Sequence, residues 1–209
     1  MPTPIQDEVR QAMTGGGNLD LELAVELNDK ASGTLDVYLH QVSADRVRVD
    51  LDPKGDGEPA EVLWLPWKQG EMPMLRASSI ESAQRDTLFF TYYLSGCKVF
   101  AIRGGPVWHI DAPVSVNEFW PRITSDEWVE DNWPTGTAQN VAYLHRAGQA
   151  DALWNLSDYL VGGPPTTYGA GNIGQAIVGG VVNNNNQLDL YFKASPWASL
   201  DYTEQLRKK

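Results

Sequence analysis

From Leu19 to Leu27 every second residue is apolar: Leu19, Leu21, Leu23, Val25 and Leu27 alternate with Asp20, Glu22, Ala24 and Glu26. A period of two is that of a strand with one buried face, whereas successive helical side chains rotate by about 100° and cannot gather such a stripe. The pattern returns at Leu35, Val37 and Leu39, and again at Val47, Val49 and Leu51. The chain must therefore build a sheet with a covered face. Residues 28–33 read as a turn between strands, and residues 52–59 as a polar loop. The apolar run Val62-Leu63-Trp64-Leu65 ends at Pro66, and a second strand-like block spans residues 88–94. Residues 98–102 and 107–110 flank Gly104-Gly105, a hairpin signature. Residues 183–186 read as a turn before a strand over 188–192.

Helices are expected around these strands. Thr3 can cap a first helix, Pro4 suits its first position, and Asp7 and Glu8 face the positive end of its dipole. Ile5, Val9 and Met13 share a face, and Gly15-Gly16-Gly17 ends the helix. Ser115 with Glu118, and Thr124 with Glu127, have the capping-box spacing of two short helices, the first limited by Pro121. Residues 141–145 read as a strand, and residues 151–160 as a helix ended by Gly162-Gly163. No repeat and no linker-like break divides the 209 residues. The expectation is a single α+β domain over 1–209, sheet-rich and flanked by helices. A chain of this length buries roughly 70% of its unfolded surface, enough for a core without staples.

Charge and cysteine usage narrow the partners. Lys and Arg number 16 against 27 Asp and Glu, a net charge of −11 and an isoelectric point near 4.6. Proteins that track phosphates need the opposite sign, so nucleic acid and anionic membranes are disfavoured as partners. No apolar run is long enough for a transmembrane helix, and the first residues lack the basic and apolar stretches of a secretory signal. The expected setting is solution: the cytoplasm of the producing cell, with any export by a route the sequence does not encode. Cys97 is the sole cysteine, which excludes an internal disulfide and a Cys-rich zinc site. His40, His109 and His145 are scattered with no metal-ligand spacing, so no metal is expected.

Two further patterns invite a function and are better read as structure. Gly169-Ala170-Gly171-Asn172-Ile173-Gly174 matches the dinucleotide-binding glycine pattern, and Asp189 lies where a ribose-binding acid would. Pro164-Pro165-Thr166-Thr167-Tyr168 before it is no buried strand, and too little chain follows for the rest of a nucleotide-binding sheet. A glycine-rich turn is the expected reading, with no cofactor. The eight tryptophans could form a sugar or peptide surface, but most sit beside apolar residues and suit a core.

Cys97 and His109 carry the chemistry. Gly96 allows close backbone approach just before the sulfur, and the 98–110 hairpin brings both residues to neighbouring strands. With Gly104-Gly105 alone as the turn, Phe100 opposes His109 and Cys97 points to the other face. With Arg103-Gly104-Gly105 as the loop, Val99 opposes His109, and Cys97 becomes a same-face diagonal neighbour at about 7–8 Å. An imidazole so placed can take the thiol proton, leaving a nucleophilic thiolate, and backbone N–H groups around the sulfur can hold an oxyanion. The plain alternative is an inert cysteine in an apolar setting.

Leu94-Ser95-Gly96-Cys97 resembles the signature of the glutamine-deamidating bacterial toxins, typified by the catalytic domain of cytotoxic necrotizing factor. The wider sequence is similar to the Burkholderia lethal factor family: residues 57–60 (GEPA), 63–71 (LWLPWKQGE), 88–100, 104–114, 125–128 (SDEW), 141–149 and 153–157 (LWNLS). The resemblance spans nearly the whole chain. It implies a sandwich of mixed β-sheets flanked by helices, and a cysteine-dependent glutamine deamidase that uses no cofactor. Cys97 would then be the nucleophile, His109 its general base, and Thr91, six residues before the cysteine, the residue that orients the imidazole. The implied substrate is a glutamine of a host protein, the DEAD-box RNA helicase of translation initiation, whose conversion to glutamate blocks host protein synthesis. Such a toxin would be a monomer acting in the host cytosol. Pro121, the 46–56 loop and residues 183–186 depart from the family and bear on target choice rather than on reaction type.

Two other classes fit the same residues. A cysteine protease or transglutaminase would use the same Cys–His pair on a peptide bond or an amine acceptor. A Trp-rich β-sandwich binding module would use neither and would leave Cys97 unreactive.

Overall fold

The structure, a computed structural model, describes residues 4–93, 98–102, 104–111, 140–143, 177–192, 197–200 and 202–204. Helix α1 (Pro4–Gly15) leads into β1 (Asp20–Leu23), a 3₁₀ helix (Val25–Asp29), β2 (Gly33–Ser43), β3 (Arg46–Asp50) and β4 (Glu58–Leu65). Then come β5 (Met74–Leu75), α2 (Ala77–Ser82), β6 (Leu88–Thr91), β7 (Lys98–Ile102), β8 (Val107–Ile110) and β9 (Asn140–Tyr143). The described chain closes with β10 (Val178–Val182), β11 (Leu188–Phe192), β12 (Ala198–Leu200) and β13 (Tyr202–Glu204).

The strands form two sheets, in the orders β1-β3-β2-β4-β6-β10-β11-β12 and β13-β9-β7-β8-β5. β1 with β3, and β4 with β6, run parallel, and the other pairs of the larger sheet are antiparallel. The smaller sheet is antiparallel throughout, so only the larger one is mixed. The α+β architecture with stacked sheets agrees with the sequence reading.

Strand alternation divides the core. Val62 and Trp64 of β4, Leu88 and Phe90 of β6 and Val181 of β10 join Val9 and Met13 of α1 in one apolar cluster. Leu63 and Leu65, Phe89, and Val178 and Val182 point the other way, onto Val99 and Ala101 of β7 and Val107 of β8. The central strands are buried on both faces, which is why β4 and β6 read as continuous apolar runs rather than alternating ones. Successive layers are therefore helix α1, the larger sheet and the smaller sheet. The site occupies the second interface.

Several expectations need correction. The alternation to Leu27 is not one strand: Ala24 N donates to Val49 O (3.0 Å), and the chain then coils into the 3₁₀ helix. That turn leaves Val25 exposed and Leu27 fully buried, so a period-two pattern ends in a structure of period three. The 88–94 block is a strand only to Thr91; Tyr92 N still donates to Leu65 O (3.2 Å), and Tyr92 and Tyr93 pack against the first cluster. The 46–56 stretch is loop only in its second half, since residues 46–50 form β3. The helices expected at 115–118, 124–127 and 151–160, and the Gly169–Gly174 pattern, lie outside the described residues.

Candidate active site

The hairpin settles its own register. Val99 pairs with His109, Phe100 with Trp108 and Ala101 with Val107, which is the arrangement expected for a three-residue connection. Gly104 within that connection has φ of 69°, a left-handed conformation that glycine adopts without steric cost. On β8 this alternation turns Val107 and His109 inward, opposite Ala101 and Val99.

His109 meets Thr91 from the other sheet. Thr91 ends β6, beside Leu65 of β4, on the face that carries Phe89 toward the smaller sheet. Its Oγ1 lies 2.7 Å from His109 Nδ1, and both side chains are fully buried. The bond thus joins two sheets through residues 18 apart in the chain. The other ring nitrogen, Nε2, is buried with no hydrogen-bond partner among the described residues. An orphaned buried polar atom costs about 1–3 kcal/mol, and such atoms concentrate where a reaction uses them.

Burial pushes the imidazole pKa from 6.5 down to about 3, against a smaller upward pull from the Asp111 carboxylate. His109 is therefore neutral at neutral pH, with one nitrogen protonated and the other a lone-pair acceptor. When Nδ1–H donates to Thr91 Oγ1, Nε2 carries the lone pair and can accept a proton. The pair fits a general base held by an orienting hydroxyl.

A wall of backbone and side chain stands beside this imidazole. His109 N donates to Pro73 O (3.0 Å) and Asp111 N to Glu71 O (3.3 Å), continuing the pairing of β5 with β8. Buried Asp111 accepts from Trp67 Nε1 (3.2 Å) and from Gly70 N (2.7 Å). Asp111 was not singled out in the sequence, although its place two residues after His109, on the same face of a strand, was visible there.

Of the expected site residues, the structure brings Thr91 and His109 together; Cys97 lies outside the described residues. His40 sits on β2, its Nε2 3.1 Å from Asp50 Oδ1, away from His109 on a different sheet, and His145 lies outside the described residues. Among the described residues no group of three or more acidic, cysteine or histidine side chains is placed to hold a metal ion. No described helix is long and apolar enough to cross a membrane. Asp189 accepts from Asn183 Nδ2 (2.9 Å) within the 183–186 turn, a structural use. Trp64, Trp108 and Trp197 are buried and Trp67 is partly buried, so the described tryptophans belong mainly to the core.

A family model described as Burkholderia lethal factor 1 matches residues 2–209. No curated protein matches the chain.

Proposed function

The chain belongs to the Burkholderia lethal factor 1 family, and from that place among bacterial toxins we propose that it deamidates a glutamine side chain of a host protein. The observation that carries the reading is the imidazole of His109, bound at Nδ1 by Thr91 and, among the described residues, without a partner at Nε2. Position 97 precedes Val99 by two residues, and Val99 lies opposite His109. Cys97 itself is taken as the nucleophile from the family resemblance and from its sequence position two residues before Val99.

In this reading Nε2 takes the thiol proton, and the thiolate adds to the carboxamide carbon of the target. The tetrahedral adduct expels ammonia, which receives its third hydrogen from the Nε2–H, leaving a thioester. His109 then deprotonates water, whose oxygen attacks the thioester carbonyl. The acyl–sulfur bond breaks, giving glutamate and returning the proton to sulfur. Thr91 holds Nδ1–H throughout, keeping the basic lone pair on Nε2. The resting imidazole is neutral by burial, and the imidazolium formed in the first step is offset by the adjacent thiolate and by Asp111.

The family resemblance supports the DEAD-box helicase of translation initiation as the target, in the host cytosol. Incubating the protein with a eukaryotic cytosolic extract, then mapping glutamine-to-glutamate changes by mass spectrometry, tests the reaction. Wild type should create glutamate at a defined site in an intact target, and Cys97→Ser should not. A cut chain or an amine adduct would instead assign a protease or a transglutaminase, and conversion by Cys97→Ser would defeat the nucleophile.

A further inference from the structure

We infer that Asp111 is a positioning residue: its carboxylate fastens the segment 67–71 to the strand of His109, so that the Trp67 indole walls the space that receives the target's glutamine side chain. The inference rests on the deamidase reading above and deepens it.

Val107, His109 and Asp111 alternate inward on one strand and its immediate extension, so the carboxylate and the imidazole share a face two residues apart. The two carboxylate oxygens serve different parts of one segment. Oδ1 accepts from the Trp67 indole, and Oδ2 accepts from the Gly70 backbone. Two backbone bonds, Asp111 N to Glu71 O and His109 N to Pro73 O, run alongside. Asn28 Oδ1 also accepts from Trp67 N, and Asn28 O accepts from Lys68 Nζ, both at 2.8 Å. A segment linking two sheets is thus pinned by Asp111 and by Asn28.

The placement of Trp67 gives this clamp a use. Its ring packs on the cluster containing Leu65 and Val99 yet remains partly exposed, and its edge is fixed by the bond to Asp111. Trp67 therefore adjoins both the cluster that fills the space between the sheets and the carboxylate two residues beyond His109. A glutamine side chain presents two methylenes before its carboxamide. A fixed indole face suits those methylenes, and it shields a thioester from untimely water. Burying a carboxylate is costly unless donors surround it, and here the Trp67 indole N–H and the Gly70 N–H offset that cost.

The test compares Asp111→Asn, Trp67→Ala, Trp67→Phe and the double variant Asp111→Asn/Trp67→Ala with wild type, all as the full chain. Three rates are read: conversion of the target glutamine in cytosolic extract, alkylation of Cys97 by iodoacetamide, and hydrogen exchange at the Gly70 amide. Asp111→Asn should lower conversion at least about tenfold and speed Gly70 exchange comparably, whereas Trp67→Ala, which keeps the Asp111 charge, should leave Cys97 alkylation within about threefold of wild type. Trp67→Ala should reproduce the loss of conversion, and the double variant should lose no more than the worse single one, because both changes remove one wall. Trp67→Phe, which keeps an aromatic face and removes only the indole N–H, should fall between Trp67→Ala and wild type. It decides the matter should Asp111→Asn fail to fold. Wild-type conversion in Asp111→Asn or in Trp67→Phe, or losses that multiply in the double variant, would overturn the inference alone. No new glutamate with wild-type protein would instead bring down the deamidase reading and the inference with it.

Discussion

The two nitrogens of His109 stand in different circumstances, and that difference is the chemical content of the site. Nδ1 has a hydroxyl at 2.7 Å, and Nε2 has no partner among the described residues. Thr91→Val removes the hydroxyl at nearly constant volume and leaves Nδ1 unsatisfied in a fully buried place. It should cost about 1–3 kcal/mol in denaturant unfolding and about a hundredfold in target conversion, whereas Thr91→Ser should stay within about tenfold of wild type. The pKa of about 3 has a definite sign as well. Between pH 6.5 and 3 the unfolded chain binds a proton on this imidazole and the native one does not, so stability falls as pH drops through that window. The lost stability approaches roughly 5 kcal/mol at the acid end. Unfolding of wild type and His109→Asn across this range checks it: the wild-type curve should be the steeper. His109 was legible from spacing in the hairpin; Cys97 was read from the same spacing and lies outside the described residues. Thr91 came only from resemblance, because a contact between sheets leaves no local period. Asp111 had a local signal, the period of two, but nothing in the sequence told its carboxylate apart from a solvated one.

At the scale of elements, strands covered on one face announced themselves, and the doubly covered ones did not fully do so. β2 and β3 follow their alternation, whereas β10 was not foreseen because Gly179-Gly180 interrupts its apolar pattern. Those glycines have separate reasons. A Cβ on Gly179 would come within 2.8 Å of the Met13 terminal methyl, a flexible tip from α1. On Gly180 it would come within 2.8 Å of the Asp189 carbonyl oxygen and 3.1 Å of Leu188, in the paired strand β11. Backbone in a ladder cannot step aside, but a methionine end can. Gly180→Ala should therefore destabilise by about 1–3 kcal/mol in urea unfolding, and Gly179→Ala by distinctly less. The 3₁₀ helix is the other element that periodicity misassigned. Leu27 had to reach the core, and a tight turn delivers it while bringing Asn28 to Trp67.

For the whole molecule, the larger sheet is a shared wall. Each of β4 and β6 gives alternate residues to the two clusters, so neither cluster can melt without exposing the same strands. Unfolding followed by tryptophan fluorescence and by far-ultraviolet circular dichroism should show one coincident transition, as expected of a single cooperative domain. Two separated transitions would divide it. The sheet-rich α+β class was readable from strand periods, and the stacking of two sheets came from resemblance. The layer at which Thr91 meets His109 was not, since it depends on which strands pair and how they stack. That layer is where the proposed proton transfer takes place, and it can be examined with the thiol itself. The rate of Cys97 alkylation by iodoacetamide should be measured against pH in wild type and in His109→Asn. Below the ordinary thiol pKa of about 8.5, wild type should react faster than His109→Asn, because the neutral imidazole can take the thiol proton as the sulfur attacks. Identical profiles, or a wild-type thiol inert at every pH, would contradict the account.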